Sequence, residues 1–257
     1  MPTQQALGLV AVGGGCSGTL INRFWVLTAD HCVTTTGAIN GPAAPFANVA
    51  ITAAWSTRQV IPTRYVRYGE SDNVDVALIF LGAGDFGPAN VQPLHVGQLD
   101  NGSLVTKYGR GLSTFASTSG RPAFSPIPAV ADGQYRSAPF NATDSTASAY
   151  TLPVNVAGQT ANGGDSGGPD FATSPNGVAV GISGVQSTCN WSACLPGQTC
   201  GNGNVNWVWV TAMKSCNSAP IFNVRDRIVQ AAAEGRFPCR GTSASCAIPE
   251  LAHLLLP

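Results

Sequence analysis

NGGDSGGPD, residues 162–170, places four glycines, one proline and one serine in nine positions. A loop of this composition can turn sharply and do nothing else. Glycines on both sides of Ser166, however, let backbone N–H groups approach a ligand without interference from a Cβ. Successive N–H groups in such a turn can stabilise a developing negative charge, as an oxyanion hole does. One such donor is typically worth ~3 kcal/mol in the transition state of a hydrolase. The serine hydroxyl itself is a poor nucleophile at neutral pH. It needs a base within hydrogen-bond reach, and the base needs an orienting partner.

The chain offers three histidines: His31, His95 and His253. His31 sits in VLTADHCV, with apolar residues before it and Cys32 beside it. A disulfide at Cys32 would hold that turn rigid; pairing with Cys16 would close a loop of about 15 residues, worth about 3 kcal/mol in the chain-entropy model. His95 lies in a connector and His253 in the tail, where histidines are usually solvated. The orienting group should be a carboxylate, partly buried so that it holds one imidazole tautomer. Asp75 opens DVALIFL, one of the most apolar stretches, and an acid buried there needs a partner. Asp72, in the polar turn ESDN, is its local rival and reads as a solvated turn acid.

Composition narrows the class. The 257 residues suffice for a sizeable core in one or two domains. Charged residues are 10%, apolar residues 44% and the formal net charge is zero, which argues against a nucleic-acid binder and against a disordered chain. Lysine occurs twice and glutamate three times, so strong helix formers are scarce. Short apolar runs alternate with turn clusters, the texture of an all-β protein. Eight cysteines without a CxxC pair read as disulfides in an oxidising compartment; zinc spacing is missing. No apolar stretch reaches the length of a membrane span. The first residues, MPTQQALGLVAV, lack a basic n-region and a usable h-region, so a secretion signal is expected to have been removed. Sequons at Asn101, Asn141 and Asn190 add little.

Strands are expected at 5–12, 17–28, 61–68, 75–81, 177–185 and 204–212. A second run of strands begins near 104–111, and residues 112–150 read as strands joined by long loops. PLHVGQLDNGS (93–103) reads as a connector. One helix is expected over 221–235, opened by Pro220 and closed by Gly235.

TADHC (28–32), DVALI (75–79) and GDSGGP (164–169) resemble the signatures of the trypsin/chymotrypsin-like serine proteases. CSGTLINRFWVLTADHC (16–32), VTKYGRG (105–111) and VGIS (180–183) are similar to that family's opening strand pair, the start of its second barrel and its substrate-pairing strand. The matches run in family order from about residue 5 to 235 and suggest a divergent, secreted, bacterial-type member. The resemblance implies an all-β fold of two antiparallel six-stranded β-barrels with a C-terminal α-helix. Residues 1–100 would form the first barrel, 101–235 the second with its helix, and 236–257 a cysteine-containing tail. It implies a serine endopeptidase working through an acyl-enzyme: His31 as base and then acid, Asp75 orienting it, Ser166 as nucleophile. The N–H groups of Gly164 and Ser166 would form the oxyanion hole, and Cys16–Cys32 the disulfide beside the histidine. No cofactor or metal is implied. Partners would be protein or peptide substrates and protein inhibitors, with no nucleic acid or membrane, and the chain would act as a monomer, secreted or in another oxidising extracytoplasmic compartment.

Specificity follows by position. Thr160, six residues before the serine, would lie at the base of the primary pocket, where a carboxylate would select Arg or Lys. Ser183, Gly184 and Val185 would form one wall, with Val185 narrowing it, so cleavage is expected after small or medium apolar residues. Position 30 is Asp where the family usually has a small residue, and Asn162 stands in place of a half-cystine. Asp165 lacks the N-terminal amine that usually pairs with it; either the chain is truncated or another group takes that place. Cys194–Cys200 and Cys239–Cys246 are expected as local bridges. Two rival readings remain: a catalytically silent protease-like binding domain, and an esterase of α/β-hydrolase type, whose GxSxG elbow Gly164–Gly168 formally matches. The esterase needs a helix directly after the serine, and its acid and histidine follow the serine in the chain.

Overall fold

The structure, a computed structural model, describes residues 3–82, 86, 92–111, 135–153, 155–156, 161, 164–174, 176, 178–192 and 212–234. The first sheet contains β1 (Leu9–Val12), β2 (Cys16–Asn22), β3 (Trp25–Thr28), β4 (Ile51–Ala53), β5 (Gln59–Val60), β6 (Arg64–Arg67) and β7 (Ala77–Phe80). Every pairing is antiparallel, in the order β5-β4-β1-β2-β3-β7-β6. β5 and β6 lie at opposite ends of that order, yet only Ile61, Pro62 and Thr63 separate them in the chain. So short a link spans at most about 14 Å, which brings the two edges together and curls the sheet into a barrel. Proline has no N–H for a ladder, and the expected strand 61–68 begins only at Arg64, past Pro62, while a separate short strand, β5, lies before it. The sheet has seven strands where six were expected.

The second sheet contains β8 (Leu104–Gly109), β9 (Arg136–Asn141), β10 (Tyr150–Pro153), β11 (Pro169–Thr173), β12 (Ala179–Ser192) and β13 (Ala212–Pro220), ordered β10-β13-β12-β11-β8-β9. Its edges, β9 and β10, are again close in sequence, and Thr143 bridges to Thr151 across the connection. Pro139 and Pro153 fall on those edge strands, where a missing N–H is tolerated. The sheets share one apolar core: Ile21, Trp25, Leu27 and Leu78 of the first lie in the same cluster as Phe171, Ile182 and Val185 of the second.

Among the described residues three α-helices accompany the sheets: α1 (Thr3–Ala6), α2 (Tyr68–Asp72) and α3 (Arg225–Glu234). α3 buries Ile228, Val229, Ala231 and Ala232 in the shared core. Pro220, read as the helix opener, instead ends β13, and the chain turns through 221–224 before the helix begins. Residues 5–12 were expected to be strand throughout, but α1 occupies their start and only Leu9–Val12 pair. The expected strand 204–212 lies outside the described residues except for Ala212, which begins β13, and most of the loop-rich stretch after 111 lies outside them too. Among the described residues no helix is long and apolar enough to cross a membrane.

Candidate active site

His31 stands at the end of β3. Thr28 closes the strand, Ala29 stays extended, and residues Asp30–Val33 make one turn of 3-10 helix. Three restraints hold that turn. Cys32 is joined to Cys16 at the start of β2, as expected. Thr34 donates its hydroxyl to the His31 carbonyl at 3.0 Å. Asp30, wholly buried, points inward to a fork of Arg67 on β6, with Nε at 2.8 Å from Oδ1 and NH2 at 2.9 Å from Oδ2. The same guanidinium reaches Glu70. Gly69 leaves room for this pair, because a Cβ there would lie 2.2 Å from Asp30 Oδ2.

Asp30 therefore has a reason to stand where a small residue was expected: it ties the histidine turn to β6. Removing one partner of a buried ion pair strands the other charge, at a cost of about 3–5 kcal/mol, whereas removing both with apolar replacements is often nearly neutral. Arg67→Met is expected to lower unfolding free energy by that amount, and Asp30→Ala added to it should restore much of the loss. Urea unfolding of the single and double variants measures both; a double variant no more stable than Arg67→Met would contradict this account.

Asp75 lies between α2 and β7 and is 3% exposed. Asn73, in the left-handed region at φ 54°, turns the chain at the end of α2 just before it. The Asp75 carboxylate accepts three hydrogen bonds: from His31 Nδ1 at 2.7 Å, from the His31 backbone N–H at 2.9 Å and from the Ser187 hydroxyl at 2.6 Å. Burial, the largest single influence, pushes this carboxyl up. The His31 ring's hydrogen bond and charge, the Ser187 hydroxyl and the His31 N–H together outweigh it and hold Asp75 below its ordinary 3.8. A carboxyl depressed in the folded state adds stability that is complete above the unfolded value and is lost as pH falls through the folded one. The stability gap between wild type and Asp75→Asn in urea should therefore be wide at neutral pH and shrink below about pH 4; a gap that persists in acid would contradict it.

The serine loop is pinned to the first sheet beside this pair. Ser17, wholly buried on β2, donates its N–H to the Ser166 carbonyl at 2.7 Å and its hydroxyl to the Gly164 carbonyl at 2.8 Å. Gly167, at φ 75°, packs where no side chain fits: a Cβ would meet Thr28 Oγ1 at 2.1 Å, the Ser17 carbonyl at 2.5 Å and Ala29 N at 2.9 Å. The residue after Ser166 thus touches the two residues that lead into the His31 turn. Gly164, at φ 100°, occupies a second conformation that favours glycine. On the other side, Gly167 N–H donates to the Gln186 carbonyl and Gln186 N–H to the Gly168 carbonyl, at 2.8 and 2.9 Å. The Asp165 carboxylate accepts the Gly111 N–H at 2.6 Å. That bond is one of the contacts that hold Asp165, and Gly109 and Gly111 make room for its carboxylate.

Residues 2–199 match the family model described as Trypsin. The chain belongs to the trypsin family. It is 33% identical over 205 residues to serine protease SP24D of Anopheles gambiae, covering 76% of this chain and 71% of that protein. Kallikrein-related peptidase 10, solved in complex with Zn2+, superposes with a TM-score of 0.55 at 15% identity, covering 90% of this chain and 98% of its own. A thermostable serine protease, AL20, from an extremophilic microorganism gives 0.51 at 18%, covering 84% and 92%. The last two show the chymotrypsin-like fold. Family membership makes this trypsin-family chain a serine-type endopeptidase, a hydrolase whose substrates are peptides or proteins. The esterase reading falls with it, and Ser166 is followed by strand β11 where that fold requires a helix.

Elsewhere the expected site residues divide. His31 and Asp75 meet. Asp72 does not compete, because it pairs with Arg227 of α3. His95 is half-buried in the connector, its backbone N–H on Ile182, and burial lowers its pKa. The expected pocket wall is not where it was read. Ser183 is 4% exposed, with its hydroxyl on the Asp170 carbonyl and beside the Tyr150 hydroxyl, and Val185 is fully buried in the shared core. Gly184 lies against the Tyr150 hydroxyl and the Ala219 carbonyl. These three residues belong to the interior of the second sheet and present no surface to a ligand. The serine that reaches the acid is four residues further on, at Ser187, inside the register shift between Gln186 and Thr188. Two serines in VGISGVQS were the only sequence signal for it.

Thr160, His253, Cys194, Cys200, Cys239 and Cys246 lie outside the described residues. Cys189 and Cys216, left without partners in the sequence reading, form a second disulfide across β12 and β13. Among the described residues one cluster of three potential metal ligands occurs, Cys16, His31 and Cys32, and the disulfide leaves neither sulfur as a thiolate.

Proposed function

We propose that this endopeptidase cleaves through Ser166, His31 and Asp75. The observation that carries the reading is the 2.7 Å contact between His31 Nδ1 and Asp75, made on a turn that the residue after Ser166 touches directly. Asp75 keeps the Nδ1 proton in place, which leaves Nε2 with its lone pair. Nε2 takes the Ser166 proton as the hydroxyl oxygen attacks the scissile carbonyl. The N–H groups of Gly164 and Ser166 receive the oxyanion. His31 then gives its proton to the leaving amine, an acyl-enzyme forms on Ser166, and water activated by the same imidazole releases it.

The division of labour follows the halves of the chain: residues 1–100 supply the acid and base, and 101–235 the nucleophile. Cleavage is expected after small or medium apolar residues, by a monomer outside the cytoplasm, open to protein inhibitors that bind as substrates do. Two disulfides and the family support an oxidising compartment. A fluorophosphonate probe tests the core of this reading. One equivalent should attach to Ser166 in wild type and none in Ser166→Ala. Failure to label Ser166 in folded protein would favour a catalytically silent binding domain.

A further inference from the structure

We propose that the disulfide Cys189–Cys216 is the wall that sets the size of the substrate residue before the scissile bond, and that it narrows the preference from small or medium apolar residues to glycine or alanine. The inference rests on Ser166 being the nucleophile.

The middle of β12 is held to the reacting centre at two points. Gln186 exchanges backbone hydrogen bonds with Gly167 and Gly168, directly after Ser166, and Ser187 donates to Asp75. Cys189 follows two residues later and pairs in register with Cys216 on β13. Ala161 approaches from the serine side, five residues before Ser166 and 3% exposed. Its carbonyl oxygen lies 3.6 Å from Cys216 Sγ and 4.0 Å from Cys189 Sγ. A disulfide sulfur carries no proton, so these are packing contacts. The two sulfurs thus fill the gap between the segment that bears the nucleophile and the strand that flanks it.

Gln186 locks the arrangement. Its side-chain amide donates to the Thr188 carbonyl at 3.1 Å and the Asn217 carbonyl at 3.3 Å, tying β12 to β13 beside the bridge. Cys189 is half-buried and Cys216 buried, so the bridge presents one face outward. Ala161, Ser187, Cys189 and Cys216 carry no charge at neutral pH. Among these described residues a charged substrate side chain would find no partner to offset its desolvation, and a long apolar one would meet the sulfurs.

The test uses succinyl-Ala-Ala-Pro-Xaa p-nitroanilides, with Xaa as Ala, Leu, Phe, Arg or Glu. Wild type should cleave the Ala substrate at least about 100-fold better, in kcat/KM, than the Phe substrate. In Cys189→Ala/Cys216→Ala that preference should fall at least about 10-fold, because each methylene-sized change in such a pocket shifts discrimination by roughly that much. A merely structural role would lower both rates and leave their ratio alone. Wild type cleaving Phe, Leu or Arg within about tenfold of Ala would overturn the proposal, and this needs no variant to fold. So would a double variant that labels with fluorophosphonate and keeps the wild-type ratio. Enzyme that labels at Ser166 but ignores the size of Xaa sinks the wall alone; enzyme that does not label sinks the assignment of the nucleophile.

Discussion

Ser166→Ala is expected to lower kcat by about a million-fold, the scale reported when the nucleophile of a serine hydrolase is removed. The fold should survive, because every contact described for residue 166 is made by its backbone. Its carbonyl accepts from Ser17, while Gly164, Asp165 and Gly167 on either side hold the loop to β2, Gly111 and Gln186. Removing one oxygen from a partly exposed side chain should therefore change unfolding free energy by no more than about 0.5 kcal/mol. Turnover of a p-nitroanilide, set beside a thermal melt, separates the two effects. His31→Ala should give a similar loss, and adding it to Ser166→Ala should cost little more, since members of a triad act as a unit. Residual activity above about a thousandth of wild type in a verified Ser166→Ala preparation would place the nucleophile elsewhere.

What could be read from the sequence was local. GDSGGP was legible because its glycines have steric work to do: Gly167 fits only without a Cβ against Thr28 and Ala29, and Gly164 sits at φ 100°. TADHC was legible because the cysteine beside the histidine has a partner, Cys16, at the start of β2. DVALIFL was legible because an acid at the mouth of an apolar strand must find a partner, and it finds His31.

The rest depended on register and on distant partners. Ser187 reaches Asp75 from inside a shift in pairing between Gln186 and Thr188, which no alternation of residues announces. Cys189 and Cys216 meet only because β12 and β13 pair in that register, across a separation of 27 residues. Asp30 finds Arg67 on another strand. Lys107, read as part of an ordinary strand, is buried with its ammonium 2.6 Å from Asp170, whose other oxygen accepts the Tyr150 hydroxyl at 2.8 Å. Burial, with Asp170 alongside, raises the Tyr150 pKa, so that hydroxyl stays a donor. A polar cluster of this kind inside the second barrel costs desolvation and is satisfied only when all its members are in place. Sequence patterning sees its members as surface residues.

Asp75→Asn should reduce kcat/KM about 10,000-fold, the scale known for this change in triads of the same type. The hydrogen bonds around the carboxylate give the reason in this chain. The His31 backbone N–H can only donate, so it requires an oxygen at the Oδ1 position. An asparagine that satisfies it must turn its NH2 toward His31 Nδ1 and Ser187. Ser187 can adapt, because a hydroxyl accepts as readily as it donates. The imidazole adapts only by moving its proton to Nε2, where it can no longer take one from Ser166. The alternative flip would keep the tautomer but set NH2 against N–H. Fluorophosphonate labelling should slow in parallel with turnover, since both need a basic Nε2. NMR of the imidazole should show the ring proton moved from Nδ1 to Nε2. A variant that loses activity with its proton still on Nδ1 would mean that Asp75 acts mainly by its charge on the imidazolium, and a variant that keeps wild-type activity would remove Asp75 from the mechanism.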